Sequence, residues 1–337
     1  PDSWQAMKPV PAGTDGRRSG RGAALTAGGD SVFLLRGMGT HDLLFYSLAT
    51  DSWQALPSLP GQTRGIRFGS GLAYVAARDT GKVFCLKGGG TRDFLVYWCR
   101  QRQWHARRSV PVDENGRGVR RGSALVALGS RVFCLLGLTN ELFEYAPKCD
   151  SWTRRRSLPL LNRHGYLKRS RNGACVAADG SRYIYALKGG NCNELWRYDA
   201  ATDVWNQLDD VPLGRYRRRA KAGAGIVVFD GSIWVMKGGG CNEFWRYKPE
   251  ATLGTSDRPA HSVLHPAETN AGRPKVAFGT DVELLEDIST VRVRDAAGRL
   301  VIRQVATAPI RGLPTGVYFV ERDGSDGRRV VKVQVLR

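Results

Sequence analysis

A tyrosine followed seven residues later by a tryptophan recurs four times, as Tyr46–Trp53, Tyr97–Trp104, Tyr145–Trp152 and Tyr198–Trp205. A glycine turn stands upstream of each, at Gly37, Gly88, Gly137 and Gly189, and a fifth at Gly238 precedes Tyr247. The glycine leads its tyrosine by nine residues, or by eight in the third copy, and the tryptophans recur at intervals of 48 to 53. Self-similarity at such a period means copies of one small unit stacked side by side, because one unit cannot bury both of its faces alone.

The strand pattern within a copy is legible in the fourth. Gly173–Ala178 reads as a first strand, Tyr183–Lys188 as a second, Glu194–Tyr198 as a third and Trp205–Leu208 as a fourth. Four short antiparallel strands joined by Asp-Gly or Gly-rich turns make one propeller blade. The fifth copy lacks its outer strand, since Gly254 stands where the tryptophan belongs. The missing motif stands at Asp2-Ser3-Trp4. The expectation is therefore a five-bladed, all-β propeller over 1–250, with blades at about 9–56, 57–107, 108–155, 156–208 and 209–250, the last closed by residues 1–8.

The run from glycine turn to acidic residue, aromatic pair and D-[SV]-W resembles the kelch repeat. Residues 186–205, ALKGGNCNELWRYDAATDVW, are similar to the variety found in secreted bacterial proteins. That resemblance covers roughly 1–250 and implies the propeller, while leaving function open, because propellers host binding, scaffolding and catalysis.

After Tyr247 the period stops. Residues 251–274 are rich in Pro, Ala and Thr and read as an extended linker. Strand patterns resume at Thr290–Arg294, Arg299–Val305, Val317–Arg322 and Arg329–Leu336, and the region 275–337 is expected to form a small Ig-like β-sandwich. Val291–Val301, Leu313–Val320 and Arg329–Arg337 resemble the type A C-terminal sorting domain of type IX secretion in Bacteroidetes-like bacteria. The resemblance implies export, contact with secretion machinery, and a place outside the cell or on its surface. A non-sorting Ig-like appendage is the other reading.

Composition narrows the rest. The formal net charge is +20, which favours attraction to polyanions without bearing on fold. No apolar run approaches the roughly 18–20 residues that span a bilayer. The chain begins at Pro1 without an initiator methionine or signal-peptide core, which fits a processed N-terminus or a truncated sequence. Seven scattered cysteines are too few for a disulfide framework. Cys85 and Cys134 share a V-F-C-L position and read as core; Cys192 and Cys241 share a turn and are expected to stay unpaired.

An acid precedes each tyrosine by four residues, and in four copies a cation stands just before the glycine turn. This pairs Arg36 with Asp42, Lys87 with Asp93, Lys188 with Glu194 and Lys237 with Glu243; the third copy has Leu136 instead of a cation before Glu141. A pair repeated in blade after blade reads as structural.

The loops entering the first strand of each blade carry seventeen cations against three acids, Asp15, Asp113 and Glu114. Those singled out for ligand binding are Arg21, Arg67, Arg120, Arg121, Lys168, Arg169, Arg171, Arg217, Arg218, Arg219 and Lys221, with Tyr166 and Tyr216 as stacking surface. These loops and the glycine turns leave a blade on one side, so one basic face is expected. It reads either as a solvated, bracing face or as a site for an anionic glycan or other polyanion, with extracellular DNA a weaker candidate.

Kelch folds include copper oxidases and sialic acid isomerases, but His41, His105, His164, His261 and His265 are scattered, and no nucleophile elbow or phosphate loop stands out. Neither catalytic residue, metal nor cofactor is expected, although Glu194 or Glu243 could serve acid–base work. The expected function is a secreted or surface-attached binding or scaffold protein. The alternatives are a subunit of a surface layer or filament, with self-assembly or another surface protein as partner, and a sugar-acting isomerase or hydrolase.

Overall fold

The computed structural model describes residues 5–13, 15–61, 65–76 and 81–249, together with Arg299 and the backbone of strands at 277–278, 290–295, 300–304, 316–324 and 327–336. Five antiparallel sheets follow one another in chain order and form a five-bladed β-propeller. The first is β1 (Ala24–Gly28), β2 (Ser31–Leu35), β3 (Leu43–Ser47) and β4 (Ser52–Ala55). The second is β5 (Gly71–Val75), β6 (Lys82–Leu86), β7 (Phe94–Trp98) and β8 (Gln103–Ala106). The third is β9 (Ala124–Leu128), β10 (Arg131–Leu135), β11 (Leu142–Ala146) and β12 (Ser151–Arg155). The fourth is β13 (Cys175–Ala178), β14 (Tyr183–Leu187), β15 (Leu195–Asp199) and β16 (Val204–Gln207). The fifth has three described strands, β17 (Gly225–Phe229), β18 (Ser232–Gly238) and β19 (Cys241–Tyr247).

The second strands of the first three blades, SVFLL, KVFCL and RVFCL, are apolar at nearly every position. A sheet with both faces covered needs such a run, since successive side chains point to opposite sides. In blade 2, Val83, Cys85, Leu95 and Tyr97 pack toward blade 1, while Phe84, Leu86, Phe94 and Val96 pack toward blade 3. Cys134 is buried in the next layer, as a core thiol should be, and all seven cysteines are free.

The D-x-W motif is a latch between blades. Trp152 donates its indole N–H to the carbonyl of Arg108 at 2.8 Å, and Asp150 accepts the backbone N–H of the same residue at 2.9 Å. Trp205 and Asp203 hold Arg156 in the same way at 2.8 and 2.9 Å. Trp53 and Asp51 hold Lys8 at 3.0 and 2.9 Å. The tyrosine seven residues before each tryptophan explains the spacing, for its hydroxyl donates to that aspartate: 2.5 Å for Tyr46, 2.6 Å for Tyr145 and 2.7 Å for Tyr198. Blade 2 departs from this arrangement as a set. Trp104 holds the carbonyl of Pro57 at 2.8 Å, but proline has no N–H to offer, and Arg102 stands where the aspartate would. The hydroxyl of Tyr97 is accordingly buried without a partner.

The expected closing strand falls on residues 1–8, of which 1–4 lie outside the described residues. Gln5–Lys8 are described, exposed and in no strand.

The chain divides into two compact units, Pro1–Leu158 with Lys168–Tyr247 and Pro159–Leu167 with Lys248–Arg337. In the second unit, β20 (Ala277–Phe278), β21 (Thr290–Asp295), β22 (Leu300–Gln304), β23 (Gly316–Gly324) and β24 (Gly327–Leu336) form one sheet in the order β20-β24-β23-β21-β22. The expected sandwich rests partly on residues outside those described, and the expected linker, 251–274, lies wholly outside them. Among the described residues no helix is long and apolar enough to cross a membrane.

Candidate functional site: a cationic rim

The loops that enter the first strands are tied to the glycine turns by backbone hydrogen bonds, so the two sets do share a side of the propeller. Within a blade, Gly20 donates to Arg36, Arg67 to Lys87, Arg171 to Lys188 and Lys221 to Lys237, all N–H to carbonyl at 2.9–3.2 Å. From blade to blade, Gly39 donates to Ile66, Gly90 to Val119, Leu138 to Ser170 and Asn191 to Ala220.

This pattern shows that Arg67, Arg171 and Lys221 occupy one equivalent position in blades 2, 4 and 5. Arg120, two residues before Gly122, matches them in blade 3, and Gly20 takes the place in blade 1, with Arg21 one residue on. The stem of Arg67 lies over Gly89, that of Arg171 over Gly190 and that of Lys221 over Gly239, where any Cβ would meet the stem within about 3 Å. The second glycine of each turn, at left-handed φ of 68°, 63° and 63°, thus makes room for a cation to cross it. Arg67, Arg171 and Lys221 are exposed and Arg120 half-buried; none has an ion-pair partner among the described residues.

The other expected binding residues divide in two. Arg21, Arg121, Arg169, Arg217, Arg218 and Arg219 are exposed and Lys168 is half-buried, all on these same loops. Arg169 donates to the carbonyl of Leu138 at 3.0 Å, which spends part of its fork on bracing. Tyr216 is exposed beside the guanidinium of Arg215, 5.9 Å from its ring centre. Tyr166 is exposed as well and belongs to the second compact unit.

The paired residues beneath hold these loops in place. Arg36 Nε lies 2.7 Å from Asp42, and its Nη1 donates to the carbonyl of Pro11 at 2.5 Å. Lys87 lies 3.4 Å from Asp93. Lys188, fully buried, meets Glu194 at 2.6 Å and lies over the Trp196 ring at 4.8 Å. Burial pulls the Lys188 ammonium below the ordinary lysine range, and the Glu194 charge opposes that shift. Lys237 pairs with Glu243 and donates to the carbonyls of Pro212, Leu213 and Arg218 at 2.9, 2.9 and 3.0 Å. Glu243 also accepts the N–H of Tyr216 at 3.2 Å. The hydrogen bond from Lys237 holds the Glu243 carboxyl down at about 2. In blade 3, without a cation before the turn, Glu141 reaches Arg154 at 2.8 Å instead.

Sequence reasoning found the cations and the pairs but missed that the pairs grip the loops. Among the described residues no group of three or more His, Cys, Asp or Glu is arranged to hold a metal.

No family model matches the chain, and no curated protein matches it. The solved structure of YjhT is similar over 97% of this chain and 99% of that one, with a TM-score of 0.51 and 11% sequence identity. At that identity the likeness establishes the β-propeller fold and carries no activity across.

Proposed function

We propose that the protein is a binding module that takes an anionic partner, an acidic glycan first of all, on its cationic rim. The observation that carries this reading is the repeated placement of Arg67, Arg120, Arg171 and Lys221, which have no ion-pair partners among the described residues. A cation needed only to brace a blade would be expected to meet a carboxylate or carbonyl, as Arg36, Lys188 and Lys237 do. Several cations presented at one repeated height suit a polymer with a charge on each unit better than a single small anion. The kelch-like repeats and the sorting-domain resemblance of the C-terminal region support a place outside a bacterial cell, where acidic polysaccharides are the abundant polyanions. DNA would compete for the same charge, and Tyr216 would supply stacking to either.

The test is binding of the full chain to a polyuronate, a sulfated glycan, a neutral glycan and DNA at about 0.15 M salt, repeated at higher salt. Binding to an acidic glycan above the neutral one supports the reading. Binding to DNA alone redirects it, and binding to none removes it.

A further inference from the structure

The buried cations of blades 1 and 5 are gripped by the same kinds of group. Arg36 meets Asp42 and donates to the carbonyls of Pro11 and Arg17, at 2.5 and 3.4 Å. Lys237 meets Glu243 and donates to the carbonyls of Pro212, Leu213 and Arg218. Blade 3 keeps the acid and the loop but not the cation. The N–H of Leu136 meets the carbonyl of Glu141 at 2.8 Å, as that of Arg36 meets Asp42 at 3.2 Å, so Leu136 stands where the cation does elsewhere. A buried leucine reproduces a lysine stem only as far as Cδ and brings no ammonium. Glu141 is 3% exposed, and while its Oε1 takes Arg154, its Oε2 is buried with no hydrogen-bond partner among the described residues. A buried carboxylate oxygen in that condition carries a desolvation cost that nothing described on this chain offsets.

A second acid arrives at the same place. The N–H of Asp113 meets the carbonyl of Arg117, and its carbonyl meets the N–H of Gly116, both at 2.9 Å. Gly13 makes the same two bonds with Arg17 and Gly16 at 2.8 Å, so Asp113 is the blade 3 counterpart of Gly13. A Cβ at Gly13 would stand 3.3 Å from Arg36 Nε and 3.5 Å from Asp42 Oδ2. A side chain at this position therefore starts against the cation and its acid, and in blade 3 that side chain is a carboxylate. Asp113 is 6% exposed and has no ion-pair partner among the described residues. Its turn does not require an acid. Asn162 accepts the N–H of His164 and Tyr166 at 2.9 Å just as Asp113 Oδ1 accepts those of Asn115 and Arg117 at 2.8 Å.

We propose that blade 3 binds a divalent cation, calcium by its ligand chemistry, between the carboxylates of Asp113 and Glu141 and the carbonyls of Pro111 and Arg117. Pro111 and Arg117 are the counterparts of Pro11 and Arg17, whose carbonyls hold Arg36. Every donor is oxygen, and an all-oxygen set on a loop suits calcium. Magnesium demands a stricter octahedron and gives up its waters reluctantly. Charge favours a divalent over a monovalent ion: Lys87, Lys188 and Lys237 each face one carboxylate, whereas two converge here. The ion ties the loop that carries Arg120 to the turn after β10, as Arg36 and Lys237 tie theirs. This site is separate from the rim cations and does not rest on glycan binding.

The experiment uses the full chain, freed of metal by a chelator, and reads melting temperature and calorimetric binding with calcium, magnesium or potassium chloride at equal ionic strength. The expected result is one calcium taken up per chain through this site. The melting temperature should rise by about 5 °C at calcium roughly a hundredfold above its dissociation constant. Magnesium should do less and potassium nothing. Asp113→Asn keeps the turn, as Asn162 shows, and is expected to remove the calcium response; Glu141→Gln should do the same. Leu136→Lys supplies the cation from the chain and should raise the melting temperature in chelator while abolishing the calcium response. An unresponsive parent would overturn the proposal, as would an undiminished calcium response in Asp113→Asn. A response to potassium equal to that to calcium would assign a monovalent ion and overturn it as well.

Discussion

The Tyr145 hydroxyl donates to Asp150 at 2.6 Å, while the same carboxylate receives the backbone N–H of Arg108 at 2.9 Å. One aspartate thus joins the third strand of its own blade to the segment arriving from the blade before. The tryptophan two residues on holds the carbonyl of that same arriving residue, so both polar groups of one peptide position are satisfied by one motif.

Removing the tyrosine hydroxyl should therefore cost stability only where the aspartate is present. Tyr145→Phe is expected to lose about 1 kcal/mol in urea unfolding, the usual worth of a hydrogen bond. Tyr97→Phe should be neutral or slightly stabilising, because that buried hydroxyl has no partner. Equal losses at the two sites would count against the latch.

The buried pair in blade 4 should behave asymmetrically. Lys188→Met leaves Glu194 buried without its cation and is expected to cost about 3–5 kcal/mol. Lys188→Met combined with Glu194→Leu should recover most of that loss, since an apolar pair of similar volume avoids the desolvation of both charges. Chemical denaturation of the three variants checks the order.

Acid should loosen the latches and the blade 5 clamp together. Asp150 is held below its ordinary range by the Tyr145 hydrogen bond first and the Arg108 N–H second, and Glu243 is held at about 2 by Lys237. A carboxyl with a depressed folded value binds fewer protons folded than unfolded. Its contribution is complete above the ordinary carboxyl range, near 4.5 for Glu243, and is lost as pH falls toward about 2. Melting temperature should fall across that window, and Glu243→Gln should flatten the acid limb while lowering the plateau.

Thiol chemistry should follow burial. Cys149 is exposed, whereas Cys85, Cys134 and Cys175 are held well above the ordinary thiol value by desolvation. Burial also pushes Cys99 up to about 11 and Cys192 up to about 12. A disulfide reagent at neutral pH is expected to label Cys149 fast in the native protein and those five only on unfolding.

Much of this fold was legible because the repeat writes its chemistry in order. The seven-residue step from Tyr to Trp is the span of a hairpin whose hydroxyl meets the aspartate, and the spacing survives in every latch. The joint exception of Pro57 and Arg102 was also readable, yet only the structure shows that an absent N–H makes the aspartate dispensable. The equivalence of Arg67, Arg120, Arg171 and Lys221 was blurred in sequence by neighbouring arginines of the same charge. It became visible through backbone partners such as Lys221 N–H to Lys237 carbonyl.

The most direct test of the central claim replaces Arg67, Arg120, Arg171 and Lys221 together by serine and measures polyuronate binding by the full chain at about 0.15 M salt and above. The account predicts that the parent binds and weakens as salt rises, while the variant keeps its melting temperature and loses at least tenfold in affinity. Undiminished binding by a folded variant, or binding indifferent to salt, would contradict it.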